Sequence, residues 1–198
     1  MRKLKSYTLD TNVFRYAVNP TGDDVLRRVA KLFWKNALLE FKNGQAVLLV
    51  PREVIRELEV QSFNLSDKEN CKIAGLLELC QEVSPSRLSP EIEHKIRQVT
   101  SYVRSNFKEN IGRDKMEYGG VSDARILYTA YIEDAILVTA NVKDFLLYPL
   151  LFPQHEERLY DIKKNNYVTI PELGYTKIHS DVYFKKLLQD FFELDREL

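Results

Sequence analysis

The chain has 198 residues, of which 44% are hydrophobic and 11% aromatic, enough for one folded domain with additions. Its 29 basic and 29 acidic residues cancel, which argues against a protein that coats nucleic acid by bulk charge but leaves room for a local basic groove. The apolar runs are far shorter than the ~20 residues of a membrane helix, and no secretory signal is evident, so we expect a cytoplasmic protein without a membrane association.

Hydrophobic periodicity and turn residues predict alternating strands and helices along most of the chain. In chain order we expect a strand at 6–9, a helix at 23–41, a buried strand at 46–50, a helix beginning at Pro51, helices at 66–82 and 90–107, a loop at 108–120, a helix that Ser122 caps and Asp123 begins, a buried strand at 135–139 and a helical turn at 141–145. Beyond Pro149 the pattern weakens, with an edge strand predicted at 167–170 and a terminal helix at 181–194.

This alternation predicts an α/β protein, namely a three-layer α/β/α sandwich with a central parallel sheet and extra helices. Residues 1–150 would form the domain, and residues 151–198 a C-terminal extension that packs on it. The apolar terminal helix leaves open a dimer or partner surface instead. Cys71 and Cys80 fit no disulfide or zinc pattern, so we expect two buried thiols in a reducing compartment.

Four acidic residues occupy related places in this scheme. Asp10 ends the first predicted strand, Glu57 follows the second, and Asp144 follows the strand at 135–139. Asp123 begins a helix whose preceding loop would reach the same edge of the sheet. Ligands of open parallel sheets bind outside the carboxyl ends of the strands, so the four carboxylates are predicted to converge there.

Carboxylates brought close together repel one another, and hard oxygen ligands suit Mg²⁺ or Mn²⁺. Such an ion can orient a water molecule and offset charge on a leaving oxygen, which favours hydrolysis of a phosphodiester. Each residue alone has a structural alternative: a capping role for Asp10 and Asp144, a solvated helix position for Glu57, and a favourable interaction with the helix dipole for Asp123. Their order and their position after strands favour the site.

Four segments, in the same order, resemble the motifs of PIN-domain nucleases. They are residues 9–13 (LDTNV), 51–58 (PREVIREL), 121–127 (VSDARIL) and 137–145 (LVTANVKDF). Each motif alone is weakly specific, whereas the ordered set is specific and spans roughly residues 4 to 148.

The resemblance implies a sandwich fold, Mg²⁺ or Mn²⁺ at the carboxylates and cleavage of RNA. Asp10, Glu57 and Asp123 would bind the metal directly or through water, with Asp144 as a fourth catalytic ligand. The supporting residues would be Asn12, Thr139 and Asn141. Many bacterial members of the family are VapC-type toxins, usually dimeric and held inactive by a small antitoxin.

Asn141 stands where many family members carry aspartate, and the chain is longer than a compact toxin. Both features motivate an alternative, a catalytically weak PIN scaffold that binds RNA or a protein partner. A nuclease directed at DNA is a third hypothesis. Arg125 and Lys143 are candidate contacts for the RNA backbone, with ordinary surface charge as the alternative.

Tyrosine side chains near the motifs are candidates for stacking on unpaired bases. Tyr16 and Tyr118 are the better candidates, since Tyr128 falls on the apolar face of a predicted helix and is expected in the core.

Overall fold

A computed structural model describes residues 4–19, 22–112 and 116–197 of the chain. Six strands in these residues form one sheet, with the order β3-β2-β1-β4-β5-β6. The strands are β1 (Lys5–Leu9), β2 (Ala46–Pro51), β3 (Gln81–Val83), β4 (Ile136–Thr139), β5 (Leu159–Asp161) and β6 (Asn166–Tyr167). All neighbouring strands are parallel except β5 and β6, which run antiparallel.

The helices occupy the connections between the strands and the C-terminal part of the chain. They are α1 (Thr11–Val18), α2 (Asp24–Lys42), α3 (Arg52–Ser62), α4 (Asp67–Leu77), α5 (Pro90–Phe107), α6 (Val121–Ile132), α7 (Glu172–Ser180) and α8 (Val182–Glu197). Two short 3₁₀ helices, Val142–Phe145 and Tyr148–Leu151, follow β4. None of the helices described is long and apolar enough to cross a membrane.

The strand order places β1 in the middle of the sheet, with β2 and β3 on one side and β4 and β5 on the other. Because crossovers between parallel strands are right-handed, a chain that reverses direction in this way covers both faces of its sheet with helices. The predicted α/β/α sandwich is therefore confirmed, with one antiparallel edge strand added. The reversal also opens a crevice between the carboxyl ends of β1 and β4, where ligands bind in such sheets.

Most residues of β1 and β4 are buried, including the polar side chain of Thr8. Thr8 is opposite Leu137, and Leu9 is opposite Val138. Asp10 continues this ladder with one more bond, from its own amide nitrogen to the carbonyl oxygen of Val138 at 3.0 Å. The residues that follow the two strands are therefore held side by side at the crevice.

The helix predicted at 66–82 is wrong in its second half. The capping box of Ser66 and Glu69 begins α4 as expected, but the helix ends at Leu77. Residues Gln81–Val83 pair with β2 instead and extend the sheet, because the edge of β2 offers unpaired backbone groups that helical periodicity does not reveal. The prediction for the thiols is also corrected in part, since Cys80 is half-buried and Cys71 is exposed.

The C-terminal part of the chain is more ordered than its sequence pattern predicts. The edge strand is shorter than expected, since β6 covers only Asn166–Tyr167. The preceding β5, which has only three residues, was not predicted, and it pairs in parallel with β4. The terminal helix of the prediction is α8, and the helix before it, α7, was missed. The division at residue 150 stays a prediction, although β5 belongs to the central sheet.

Helix α8 packs against α5 and joins the main apolar core. Its Phe191 is buried and meets the rings of Tyr128 and Tyr131 edge-on, with centroids 6.4 Å and 5.4 Å away. These contacts bring the end of the chain against α6, the helix that carries Asp123.

We expect Phe191→Ala to lower the free energy of unfolding by about 3–5 kcal/mol, because it removes a buried ring and leaves a cavity between α6 and α8. Urea unfolding followed by circular dichroism measures the change. Leu173→Ala, at a side chain 85% exposed, is the control and should change stability by less than about 0.5 kcal/mol. Equal stabilities of the two variants would contradict a common core for α6 and α8.

Candidate active site

Asp10 lies at the crevice where β1 and β4 end. It is the N-cap of α1, and its side chain accepts a hydrogen bond of 2.7 Å from the backbone nitrogen of Thr11. Only 5% of the residue is exposed. A buried carboxylate with an adjacent helix N-terminus is partly stabilised by the helix dipole but remains poorly solvated.

A second set of hydrogen bonds joins Asp10 to the end of β4. The Thr139 hydroxyl donates to Asp10 Oδ2 at 2.6 Å, and the Asn12 amide donates to the same oxygen. The Asn12 Oδ1 accepts from the backbone nitrogen of Ala140 at 2.7 Å. The Thr139 hydroxyl in turn accepts from the backbone nitrogen of Asn141 at 2.8 Å. These bonds define the orientation of the Asp10 carboxylate.

Glu57 reaches the same place from α3. One of its carboxylate oxygens accepts a hydrogen bond from the Thr11 hydroxyl, and the other accepts one from the Ser122 hydroxyl. Glu57 therefore links the beginnings of α1 and α6. Pro51 ends β2 and serves as the N-cap of α3, so the direction in which α3 leaves the sheet aims Glu57 at the crevice.

The start of α6 differs from the prediction. The helix begins at Val121 with Gly120 as its N-cap, so Asp123 is the third helical residue rather than the first. Its carboxylate accepts a 2.7 Å hydrogen bond from the backbone nitrogen of Gly120. Ser122 is not the N-cap, because its hydroxyl donates to Glu57 instead.

Three of the four predicted carboxylates line one open pocket of about 340 Å³. The other lining residues come mainly from α1 and α3. The full lining is Asp10, Thr11, Asn12, Arg15, Tyr16, Glu57, Gln61, Asp123 and Asn141. The structure thus brings together three carboxylates that are 47 to 113 positions apart along the chain.

Asp144 lies beside this pocket without lining it. It belongs to the 3₁₀ helix after β4, where the Asn141 amide donates to its carboxylate. Burial raises its pKa to about 6, and the negative charge of Asp123 adds to that rise. Of the two candidates that follow β4, Asn141 is the one that faces the pocket.

The pKa values of Asp10 and Asp123 are raised, and the negative charges that share the pocket contribute to the rise. Burial raises the pKa of Asp10 to about 7, against the hydrogen bonds from Thr139 and Thr11, and the charges of Glu57 and Asp123 contribute to the rise. The pKa of Asp123 is also raised, chiefly by burial and further by the charge of Glu57. A cation bound among these carboxylates would favour their ionised forms.

The donor set of the pocket consists of carboxylate, hydroxyl and amide oxygens, which are the ligands of hard cations such as Mg²⁺ and Mn²⁺. Within the part of the chain that is described, however, no group of three His, Cys, Asp or Glu side chains is arranged to hold a metal ion. Both oxygens of Glu57 and of Asp10 accept hydrogen bonds from protein donors. The chemistry of the donors fits a divalent cation that is bound partly through water.

Of the predicted RNA contacts, Arg125 lies outside the carboxylate pocket. Its guanidinium bridges Glu53 at 3.2 Å and Glu93 at 3.1 Å, and so ties α6 to α3 and α5. Lys143 is exposed and pairs with Glu117 at 3.3 Å. The RNA-binding roles of Arg125 and Lys143 stay predictions.

Tyr128 is fully buried in the core, as expected, and donates from its hydroxyl to Asp195. Tyr16 lines the carboxylate pocket, whereas Tyr118 is exposed elsewhere.

The sequence did not predict which neighbouring side chains bond the carboxylates or line the pocket beside them. Thr11 and Ser122 each stand one position from a predicted acidic residue, and both hydroxyls donate to Glu57. Gln61 stands one helical turn after Glu57, and its side-chain oxygen accepts from Arg15 at 2.6 Å. The adjacent and one-turn spacings were visible in the sequence, but the cross-pairing between segments was not.

Two solved structures are similar to this chain at low identity. VapBC2 from Rickettsia felis, crystallised with a DNA fragment from its promoter, is 21% identical, with a TM-score of 0.47 over 70% of this chain and 89% of that chain. FitAcB from Neisseria gonorrhoeae is 16% identical, with a TM-score of 0.44 over 71% of this chain and 91% of that chain. No protein-family model and no curated protein sequence matches the chain significantly.

We expect ionisation of Asp10 to destabilise the fold in the absence of metal. Its pKa is about 7 in the folded chain against an ordinary value of 3.8. Between these values the folded chain holds a proton that the unfolded chain releases, so the free energy of unfolding falls as pH rises and this contribution is lost above about pH 7. Urea unfolding at several pH values in EDTA should show a steeper fall for the wild type than for Asp10→Asn.

The matched control for this measurement is Asp67→Asn, at an exposed position in the first turn of α4. It should keep the wild-type dependence on pH. Parallel curves for the wild type and Asp10→Asn would mean that the Asp10 carboxyl ionises without cost in the folded chain.

Proposed function

We propose that this protein is a metal-dependent endoribonuclease that hydrolyses RNA phosphodiester bonds. The observation that supports it most directly is the shared pocket of Asp10, Glu57 and Asp123 at the carboxyl ends of β1 and β4. Carboxylates with raised pKa values in an open cleft are typical of functional sites, and this cleft lies where parallel sheets bind their ligands.

Mg²⁺ or Mn²⁺ would be held by Asp10, Glu57 and Asp123, in part through water, with Asp144 beside them. Such an ion activates a water molecule and offsets the charge that develops on the phosphate and on the leaving oxygen. Asn141 presents an amide to the same pocket and is suited to orient a water molecule or a phosphate oxygen.

The remaining residues hold the carboxylates in place. Thr139 and Asn12 orient Asp10, as their hydrogen bonds describe, and Thr11 and Ser122 orient Glu57. Hydroxyl and amide donors also reduce the repulsion between the carboxylates when no cation is bound.

A nucleic-acid substrate is supported by two further side chains of the pocket. The Arg15 guanidinium is held by Gln61 at the rim and can pair with a phosphate, and the Tyr16 ring is half-buried beside it. An aromatic ring next to a cation suits an unpaired base and its backbone, and single-stranded segments present such bases. The preference for RNA over DNA comes from the resemblance of the motifs.

We expect the wild type to cleave a single-stranded RNA oligonucleotide in Mg²⁺ or Mn²⁺. Asp10→Asn and Asp123→Asn should each reduce the cleavage rate about a hundredfold or more, because each removes a charged oxygen ligand. Gel electrophoresis of end-labelled RNA measures the rate. Asp67→Asn, which changes an exposed carboxylate on α4, should cleave as the wild type does.

Unchanged cleavage by both site variants would show that the carboxylate pocket is not the active site. A DNA oligonucleotide of the same sequence is run in parallel, and faster cleavage of the DNA would replace the proposal with a nuclease directed at DNA.

We expect Mn²⁺ to stabilise the wild type against heat, with no RNA present. An ion that binds only the folded chain adds about 2.7 kcal/mol at a concentration about 100 times its Kd, which raises the Tm by about 5 °C or more in a chain of this size. Asp10→Asn and Asp123→Asn should lose most of this increase, while Asp67→Asn should keep it. An equal increase in all four proteins would assign the Mn²⁺ effect to other sites.

A second function is supported by the hydrogen bonds already made by Glu57 and Asp10 and by the amide of Asn141 in the pocket. With these features the chain would be a catalytically weak scaffold that binds RNA or a protein. Tight RNA binding by a wild type that cleaves no RNA in either metal ion would favour this function over the first.

The sequence resemblance to VapC-type toxins adds two protein partners to the proposal, a small antitoxin and a second copy of the chain. Large apolar side chains that are exposed in the monomer would be available for such contacts. Those exposed the most are Val60, Phe63, Leu173 and Val182.

A further inference from the structure

A second pocket, of about 500 Å³, lies between α5, the beginning of α8 and the segment that precedes α6. Its lining combines one arginine and one histidine with tyrosine rings, hydroxyls, amides and one leucine, and among the described residues no carboxylate contributes to it. The side chains that matter here are Arg97, Gln98, Ser101, Tyr102, Tyr118 and Tyr183. Aromatic, cationic and amide groups without carboxylates are the composition that binds an unpaired nucleobase.

Arg97 is the charged group of this pocket. Its guanidinium carbon lies 5.2 Å from the centroid of the Tyr118 ring. Its Nε is buried and has no hydrogen-bond partner among the described residues. A buried donor without an acceptor is unfavourable, and a ligand that supplies an acceptor beside the Tyr118 ring would remove that cost.

Two other tyrosine rings that line the pocket contact each other. Tyr102 and Tyr183 are 4.7 Å apart between ring centroids, and the Tyr102 hydroxyl donates to Asp181 at 2.9 Å. Tyr102 is thereby fixed between α5 and the start of α8. Tyr118, by contrast, is 48% exposed, so part of its side chain is accessible to a ligand.

The chain itself connects this pocket to the carboxylates. Tyr118 precedes Asp123 by five residues, which limits the distance between them to about 17 Å of extended chain. Gly119, the next residue after Tyr118, lies close to Asp123, because a Cβ atom added to this glycine would be 3.6 Å from the Cβ of Asp123. The two regions are therefore close enough in space for one RNA strand to contact both.

We infer that the pocket formed by Arg97 and Tyr118 binds an unpaired base of the RNA substrate near the bond that is cleaved. The inference rests on the proposed function for its substrate class. The ring of Tyr118 stacks on the base, Arg97 donates to an oxygen of the base or of the adjacent phosphate, and Gln98 and Ser101 are placed to bond the edge of the base.

The test measures binding without metal, so that it does not depend on cleavage. The full-length protein in EDTA is titrated against a short single-stranded RNA that contains 2-aminopurine, and both the quenching of its fluorescence and the anisotropy of an end label are followed. Tyr118→Ala should weaken binding about tenfold and abolish the quenching, since one stacking partner is lost. Tyr118→Phe keeps the ring and should behave as the wild type does.

Arg97→Ala should also weaken binding, and Arg97→Lys should restore only part of it, because the ammonium keeps the charge but not the planar donors. Thermal melting of each variant checks that the fold is intact. Wild-type quenching and affinity in a folded Tyr118→Ala would overturn the inference, and would show that the contact of Arg97 with Tyr118 only fastens the loop to α5.

The two proposals fail separately. If the wild type cleaves no RNA but quenches 2-aminopurine fluorescence, and Tyr118→Ala abolishes that quenching, the base pocket is supported and the nuclease proposal is refuted. Robust cleavage with a pocket indifferent to Tyr118→Ala would do the reverse. No quenching of the wild-type complex at any protein concentration would also overturn the inference.

Discussion

The buried carboxylate of Asp10, held between the ends of β1 and β4, is the interaction on which the rest of the site depends. It caps α1, accepts hydrogen bonds from Thr139 and Asn12, and so joins the two strands at the point where the order of the sheet reverses. A carboxylate buried this deeply is costly when ionised, which its pKa of about 7 reflects. A divalent cation bound there, as in the proposed function, would lower this cost.

Glu57 connects the site to the helices by hydrogen bonds. Its two oxygens accept from hydroxyls at the starts of α1 and α6, and these bonds bring Asp123 to the same pocket as Asp10. The two hydroxyls satisfy both carboxylate oxygens of Glu57. The carboxylates of the site therefore accept hydrogen bonds from hydroxyl, amide and backbone groups. Arg15 lines the same pocket but donates to Gln61.

Three arginine side chains near the two pockets differ in the groups that they contact. Arg125 has two carboxylates and joins three helices, so its charge is balanced within the fold. Arg97 has an aromatic ring and a buried nitrogen without a partner, and Arg15 is held by the neutral Gln61. In the proposals above, Arg97 and Arg15 are the arginines that contact a phosphate or a base. Sequence position alone does not separate these cases, since Arg125 lies within one of the four motifs and Arg97 lies outside all of them.

The sequence by itself determined the alternation of strands and helices, the placement of Asp10, Glu57 and Asp123 after β1, after β2 and at the start of α6, and hence the edge at which they meet. Such features are local, because periodicity and turn residues act within a few positions. Only the tertiary structure decided the short strands β3 and β5, which form because a neighbouring strand offers hydrogen bonds to residues with weak patterns of their own. It also decided that Ser122 bonds Glu57 rather than capping α6, that Asn141 rather than Asp144 faces the pocket, and that Arg97 meets Tyr118. Each of these depends on the distance between segments that are remote along the chain, and that distance is set by how the helices pack on the sheet.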